Sequence, residues 1–203
     1  MTMLIHEAHL EEQLIAERRA TGADRFDEVW EGVYVMAPFP NDEHQELVVG
    51  LSSVLQVLLE WGARGAVRAG VYVSDREVGW TKNYRCPDVA VFLPSGKAKN
   101  CGTHWCGGPD FTVEILSPDD QSREKLPFYG AIGTRELLLI DRQDWSLEMY
   151  NLTATGLLLS ARSVVGDDPI SSSVLPISVR LLAGEFRPRI EVLHADGQQR
   201  WLL

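Results

Sequence analysis

One stretch limits the fold of this chain more than any other. From His44 to Trp61, the residues His44, Leu47, Val48, Leu51, Val54, Leu55, Leu58 and Leu59 recur at i, i+3, i+4, i+7 spacing. That period predicts a helix with one buried face. Pro38 and Pro40 break the chain before it, Asn41 or Asp42 can cap its start, and Gly62 and Gly65 end it. Short apolar runs follow at 67–74 (VRAGVYVS), 87–93 (PDVAVFL) and 111–116 (FTVEIL). A short helix is expected from about Asp120 to Ala131, then a buried strand at 136–141 (ELLLID). A long helix with strands on its C-terminal side buries its apolar stripe on a sheet. The expected class is therefore α/β (α+β): a mixed sheet flanked by helices.

The remaining chain adds smaller pieces. Residues 4–20 read as an amphipathic helix, stopped by Thr21 and Gly22. Residues 28–37 (EVWEGVYVMA) alternate, with Gly32 marking a turn, which predicts a hairpin. The stretch 94–109 is rich in Gly, Lys and Cys and reads as a loop; 145–151 alternates; 156–164 and 177–182 read as additional edge strands. No repeat is present, and 203 residues at 45% hydrophobic content suit one domain with its own core.

Composition excludes several classes. No apolar run reaches the roughly 18 residues of a membrane helix. Residues 1–20 carry Glu7, Glu11, Glu12 and Glu17 and lack the pattern of a secretory signal, so the expected location is cytoplasmic. Three cysteines without an export signal do not suggest a disulfide framework. Phosphate-loop, dinucleotide, nucleophile-elbow and HExxH patterns are absent. Lys plus Arg is 19 and Asp plus Glu is 29, a net charge of −10, which does not favour nonspecific nucleic-acid binding. Four of the acids, Glu7, Glu11, Glu12 and Glu17, lie before residue 20, while Arg64, Arg68, Arg76, Lys82, Arg85, Lys97 and Lys99 gather between residues 64 and 99.

Two acids occupy unfavourable places. Asp88 opens PDVAVFL, and Glu114 lies between Val113 and Ile115. Acids are depleted in strands and rarely buried alone. A solvent-facing position or an arginine partner would account for them. Convergence on one Mg²⁺ would also, if the two strands are neighbours. Lys125, eleven residues after Glu114, could reach the same space from the following helix, where a lysine can orient water or offset charge. Tyr129 is four residues on, on the same helix face; Pro127 limits how early that helix starts. A solvated surface lysine is the simpler alternative for Lys125.

The ordered set WEGVYVMAPFPNDEHQELVVGL, CPDVAVF, GPDFTVEILSP, EKLPFYGAIGTRELLLID and SLEMYNL resembles the Uma-type restriction endonuclease family, a branch of the PD-(D/E)XK nuclease superfamily. The resemblance spans Phe26 to Leu182 and implies an α-β-β-β-α-β nuclease core. It divides one nuclease-like domain into an N-terminal helical extension (1–25), the core (26–182) and a tail (183–203). It implies Mg²⁺ or Mn²⁺ held by Asp88, Glu114 and the Ile115 carbonyl, with Lys125 as the site lysine and His44 and Tyr129 assisting. It also implies DNA as substrate, and a homodimer would supply two active sites for two strands. Two positions depart from the pattern: Leu116 stands where the superfamily lysine is expected, and Val33 where the branch has Glu. These departures favour an alternative, a catalytically inactive nuclease-like module that binds nucleic acid or protein.

Cys101, His104 and Cys106, with Cys86, form a separate cluster. Four such ligands suit tetrahedral zinc, but the C-x2-H-x-C spacing crowds adjacent ligands. The competing reading is a loop packed on the sheet edge.

Overall fold

The computed structural model describes residues 8–117 and 121–203. In chain order these form helix α1 (Ala8–Thr21), strands β1 (Glu28–Trp30) and β2 (Val33–Val35), and helix α2 (Asp42–Leu55) prolonged by a π-helical turn (Gln56–Glu60). Then come β3 (Ala66–Ala69), β4 (Val73–Ser74), β5 (Tyr84–Arg85), β6 (Val89–Phe92), β7 (Lys99–Asn100), β8 (Trp105–Cys106) and β9 (Phe111–Leu116). A 3-10 turn (Ser122–Lys125) leads into α3 (Leu126–Ala131). The chain closes with β10 (Glu136–Asp141), β11 (Ser146–Thr153), β12 (Gly156–Ser163), β13 (Ile170–Ser171), β14 (Ile177–Leu182), β15 (Arg189–His194) and β16 (Arg200–Leu202).

The central sheet has the order β12-β11-β10-β9-β6-β3. It is mixed: β9 and β10 run parallel, and the other neighbours are antiparallel. Strand alternation divides its side chains between two layers. Val89, Val91, Phe111, Val113, Ile115, Leu138 and Ile140 pack with the apolar stripe of α2 and with Ile177, Val179, Ile190 and Val192 of a four-stranded C-terminal sheet. Ala90, Phe92, Leu116, Leu137 and Leu139 face the opposite way, toward Tyr129 of α3 and Val73 of β4. On that second side lies another sheet, β2-β1-β5-β4-β8-β7.

Helix α2 begins as the sequence predicts: the Asn41 side chain accepts from the His44 backbone N–H at 3.0 Å. The expected strand 67–74 is instead two strands in two sheets. Gly70 turns between them at φ +59°, a left-handed conformation open to glycine, and donates its N–H to Asp88 O. The expected loop 94–109 contains the short strands β7 and β8. Residues 156–163 do form an edge strand, β12, whereas 177–182 is interior to the C-terminal sheet, between β13 and β15. Tail residues supply that sheet's β15 and β16. Pro127 sits in the first turn of α3, where its missing N–H costs no helical bond. Residues 4–7 of the expected first helix and Asp120 of the expected short helix lie outside the described residues. No described helix is long and apolar enough to cross a membrane.

Candidate active site

Sheet register brings the two strand acids together. Val89 pairs with Val113 across β6 and β9, so continuing that antiparallel register by one residue sets Asp88 opposite Glu114. Directly opposed residues have Cβ atoms roughly 5 Å apart and point to one face. Asp88 Oδ2 accepts the Ile115 backbone N–H at 2.7 Å, which fixes its carboxylate beside β9. Asp88 Oδ1 lies 2.9 Å from His44 Nε2. The buried Nδ1 has no partner among the described residues.

Glu114 is 2% exposed and surrounded by donors. Tyr129 donates to its Oε1 at 2.5 Å; Lys125 Nζ and Ser122 Oγ donate to Oε2 at 3.1 and 3.3 Å. The 3-10 turn before α3 therefore carries Lys125 back over the sheet, and one helical turn later Tyr129 reaches the same carboxylate. Leu116, two residues after Glu114, points to the same layer and packs in its apolar part. The ammonium of this site comes from Lys125.

A third acid, unmarked by any sequence motif, completes the cluster. Glu28 of β1 lies 3.0 Å from Lys125 Nζ through Oε1. The same oxygen accepts the Cys86 N–H at 2.8 Å, and Oε2 accepts Trp30 Nε1 at 2.6 Å. Glu28 is 4% exposed. Its only sequence signal was an acid inside a short alternating strand; its partner is almost a hundred positions away. Glu31 sits at the hairpin turn with φ 50°, and Val33 is exposed.

Electrostatics follow from this crowding. Burial pushes the Glu114 carboxyl up to about 8; Lys125 opposes that rise, and the charges of Asp88 and Glu28 add to it. Burial also raises Tyr129 far above the ordinary phenol range and lifts the Cys86 thiol. Three carboxylates thus share one ammonium and one imidazole. Hard oxygen donors with a deficit of positive charge are what a divalent cation such as Mg²⁺ requires. Of the three, Asp88 and Glu114 face each other across β6 and β9 and are of the donor type that suits such an ion, whereas Glu28 is turned to Lys125 and the Cys86 N–H. The side chain of Asp88, 20% exposed against 2% for Glu114, is the open side of the cluster.

The Cys/His loop has other contacts. His104 stacks on Trp80 with centroids 4.8 Å apart, and its ring nitrogens lie 3.0 Å from Arg76 O and 3.1 Å from Thr103 Oγ1. Cys101 Sγ contacts Lys99 O, while Cys86 is buried beside Glu28. These contacts match the packed-loop reading. Among the described residues, no three or more His, Cys, Asp or Glu side chains are disposed to hold one metal. The Asp88–Glu114 set has two side chains, the third donor implied by the resemblance being a carbonyl.

The order α2, β3, β6, β9, α3, β10 around paired strand acids is the α-β-β-β-α-β core that the family resemblance implies. A crystal structure of a DUF820 protein from Anabaena variabilis, described as a "putative nuclease", has a similar fold. Its TM-score is 0.58 at 20% identity, over 72% of this chain and 80% of that one. No curated protein matches the sequence. Residues 12–184 match the Uma2 family, described as "Putative restriction endonuclease", and the chain belongs to that family. The match begins inside α1, upstream of Phe26.

Proposed function

We propose that this protein is a divalent-metal-dependent endonuclease that hydrolyses DNA phosphodiester bonds. The observation that carries the reading is the junction of Asp88, Glu114 and Lys125: Ile115 N–H on Asp88, and Lys125 Nζ 3.1 Å from Glu114. Asp88, Glu114 and the Ile115 carbonyl would hold Mg²⁺ or Mn²⁺. Bound there, the ion would supply a water of lowered pKa and offset charge on the phosphate. Lys125 keeps its ammonium over the same space and orients the attacking water or stabilises the anionic transition state. His44 fixes the Asp88 carboxylate, and Tyr129 with Ser122 fixes Glu114. Glu28 holds Lys125 from its far side. Cutting both strands of a duplex takes two such sites, which a homodimer provides.

Plasmid cleavage with Mg²⁺ or Mn²⁺ tests this, comparing wild type with Asp88→Ala, Glu114→Ala and Lys125→Met. Metal-dependent nicking lost in all three variants supports it. Activity that persists in both acid variants removes the assigned site. No activity in a folded wild type with any divalent ion leaves the inactive binding module.

A further inference from the structure

Arg85 stands in the same layer as the acid cluster and is used by none of the roles above. Val29 pairs with Tyr84, so continuing the β1–β5 register sets Arg85 opposite Glu28 on one face. Yet Glu28 is engaged by Lys125, Cys86 N–H and Trp30 Nε1. Arg85 is 4% exposed and pairs with no carboxylate among the described residues. Its Nη1 donates to Val29 O, Tyr84 O and Asn83 Oδ1 at 2.9, 3.1 and 3.2 Å. Its Cζ lies 4.6 Å from the Trp30 ring centroid and 4.2 Å from that of Phe128. Both rings are half-buried and tied to the cluster, Trp30 through Glu28 and Phe128 as the neighbour of Tyr129.

That leaves the other edge of the guanidinium idle. Among the described residues, Nε is buried without an acceptor and Nη2 donates to none, though unlike Nε it is not sealed. A guanidinium stays charged at any working pH, and a buried charge is expensive unless met by an opposite one. Three of the basic groups gathered with it in sequence are paired locally, Arg68 with Glu60, Arg76 with Asp75 and Lys99 with Glu77, and each is far more exposed than Arg85. The two aromatic faces hold the cation and leave the Nε–Nη2 edge, the one that meets oxyanions through parallel bonds, without an acceptor, with Nη2 as its accessible corner.

We propose that Arg85 is a phosphate-binding residue, taking a non-bridging oxygen of a nucleic-acid phosphodiester beside the carboxylate cluster. The choice of a nucleic acid rests on the nuclease reading; the phosphate chemistry rests on the idle edge of Arg85 alone.

The Trp30 indole N–H reports on this place. In the full chain labelled with ¹⁵N-tryptophan, its signal is assigned with Trp30→Phe, and dimethyl phosphate is titrated with and without Mg²⁺. The expected result is a saturable shift in wild type in the millimolar range, abolished in Arg85→Gln. For a short DNA duplex, the slope of log affinity against log salt should fall by about 0.9 in Arg85→Gln, one phosphate contact. No shift in wild type, or the same shift in Arg85→Gln, overturns the proposal. Should Arg85→Gln lose its fold, Arg85→Lys decides: it keeps the charge without the fork, and must weaken dimethyl phosphate at least tenfold, equal binding being refutation. Phosphate binding that depends on Arg85 in a protein that cleaves nothing keeps the anion site and removes the nuclease reading. Cleavage with binding indifferent to Arg85 does the reverse.

Discussion

Strand β9 carries two different environments on its two faces. Phe111, Val113 and Ile115 enter a packed apolar layer with α2 and the C-terminal sheet. Glu114, one residue from each of the last two, meets Tyr129, Lys125 and Ser122. Both faces are equally dry: Phe111 is 1% and Glu114 2% exposed. Burial therefore does not separate them; what fills the dry space does. The first face is held by dispersion and water exclusion, which tolerate similar shapes. The second is held by charge-assisted hydrogen bonds around acids that repel one another, which stability alone does not call for. A buried cluster of that kind marks function.

Substitutions should split along that line. Asp88→Asn is expected to lower metal-dependent cleavage by at least about 10³-fold, the loss of a charged metal ligand, with thermal stability little changed, because the amide oxygen still accepts the Ile115 N–H. Plasmid nicking beside a melting curve measures both. Phe111→Ala should do the opposite, costing about 3–5 kcal/mol in denaturant unfolding while folded molecules keep their specific activity.

The pH dependence sharpens the comparison. The folded Glu114 carboxyl titrates near 8, above its unfolded value, so the folded state binds the proton more tightly. Its contribution to stability is fully present below the unfolded value and is lost as pH rises toward and through about 8. Metal-free protein should therefore lose stability between about pH 5 and 8, and Glu114→Gln should flatten that slope. Urea midpoints at several pH values check it; an unchanged slope refutes the assignment. Glu28→Gln leaves Lys125 one carboxylate instead of two and should reduce cleavage about tenfold, an intermediate effect. The smallest belongs to the Cys/His loop: Cys101→Ser should shift unfolding by less than about 0.5 kcal/mol and leave cleavage unaltered.

The sequence made one half of this contrast easy to read. The period of α2 and the unbroken apolar runs of β6, β9 and β10 announce local structure, and Asp88 and Glu114 stand out because they interrupt those runs. Lys125 needed a known family pattern as well, since a lysine before a short helix has no local mark. What stayed hidden was long-range. Glu28 becomes notable only when β1 lies beside β5 and the 3-10 turn folds over both. Arg85 looked like one member of a basic group until the fold buried it between Trp30 and Phe128 while Arg68, Arg76 and Lys99 paired on the surface. The C-terminal sheet was half visible: 177–182 alternates, but its partners β13, β15 and β16 are short or lie in the unpatterned tail.

The bond from Ile115 N–H to Asp88 Oδ2 has a consequence for descent. The backbone ladder between β6 and β9 stops at Val89 and Val113, and the Asp88 side chain serves as the next rung. A buried N–H needs an acceptor whether or not the protein cuts anything. In a lineage that abandoned cleavage, Glu114 and Lys125 would be free to drift toward apolar residues together, while position 88 would stay confined to side chains with an acceptor oxygen. Retention of Asp or Asn there is thus a memory of the sheet, and the pair Glu114–Lys125 is the better witness to chemistry.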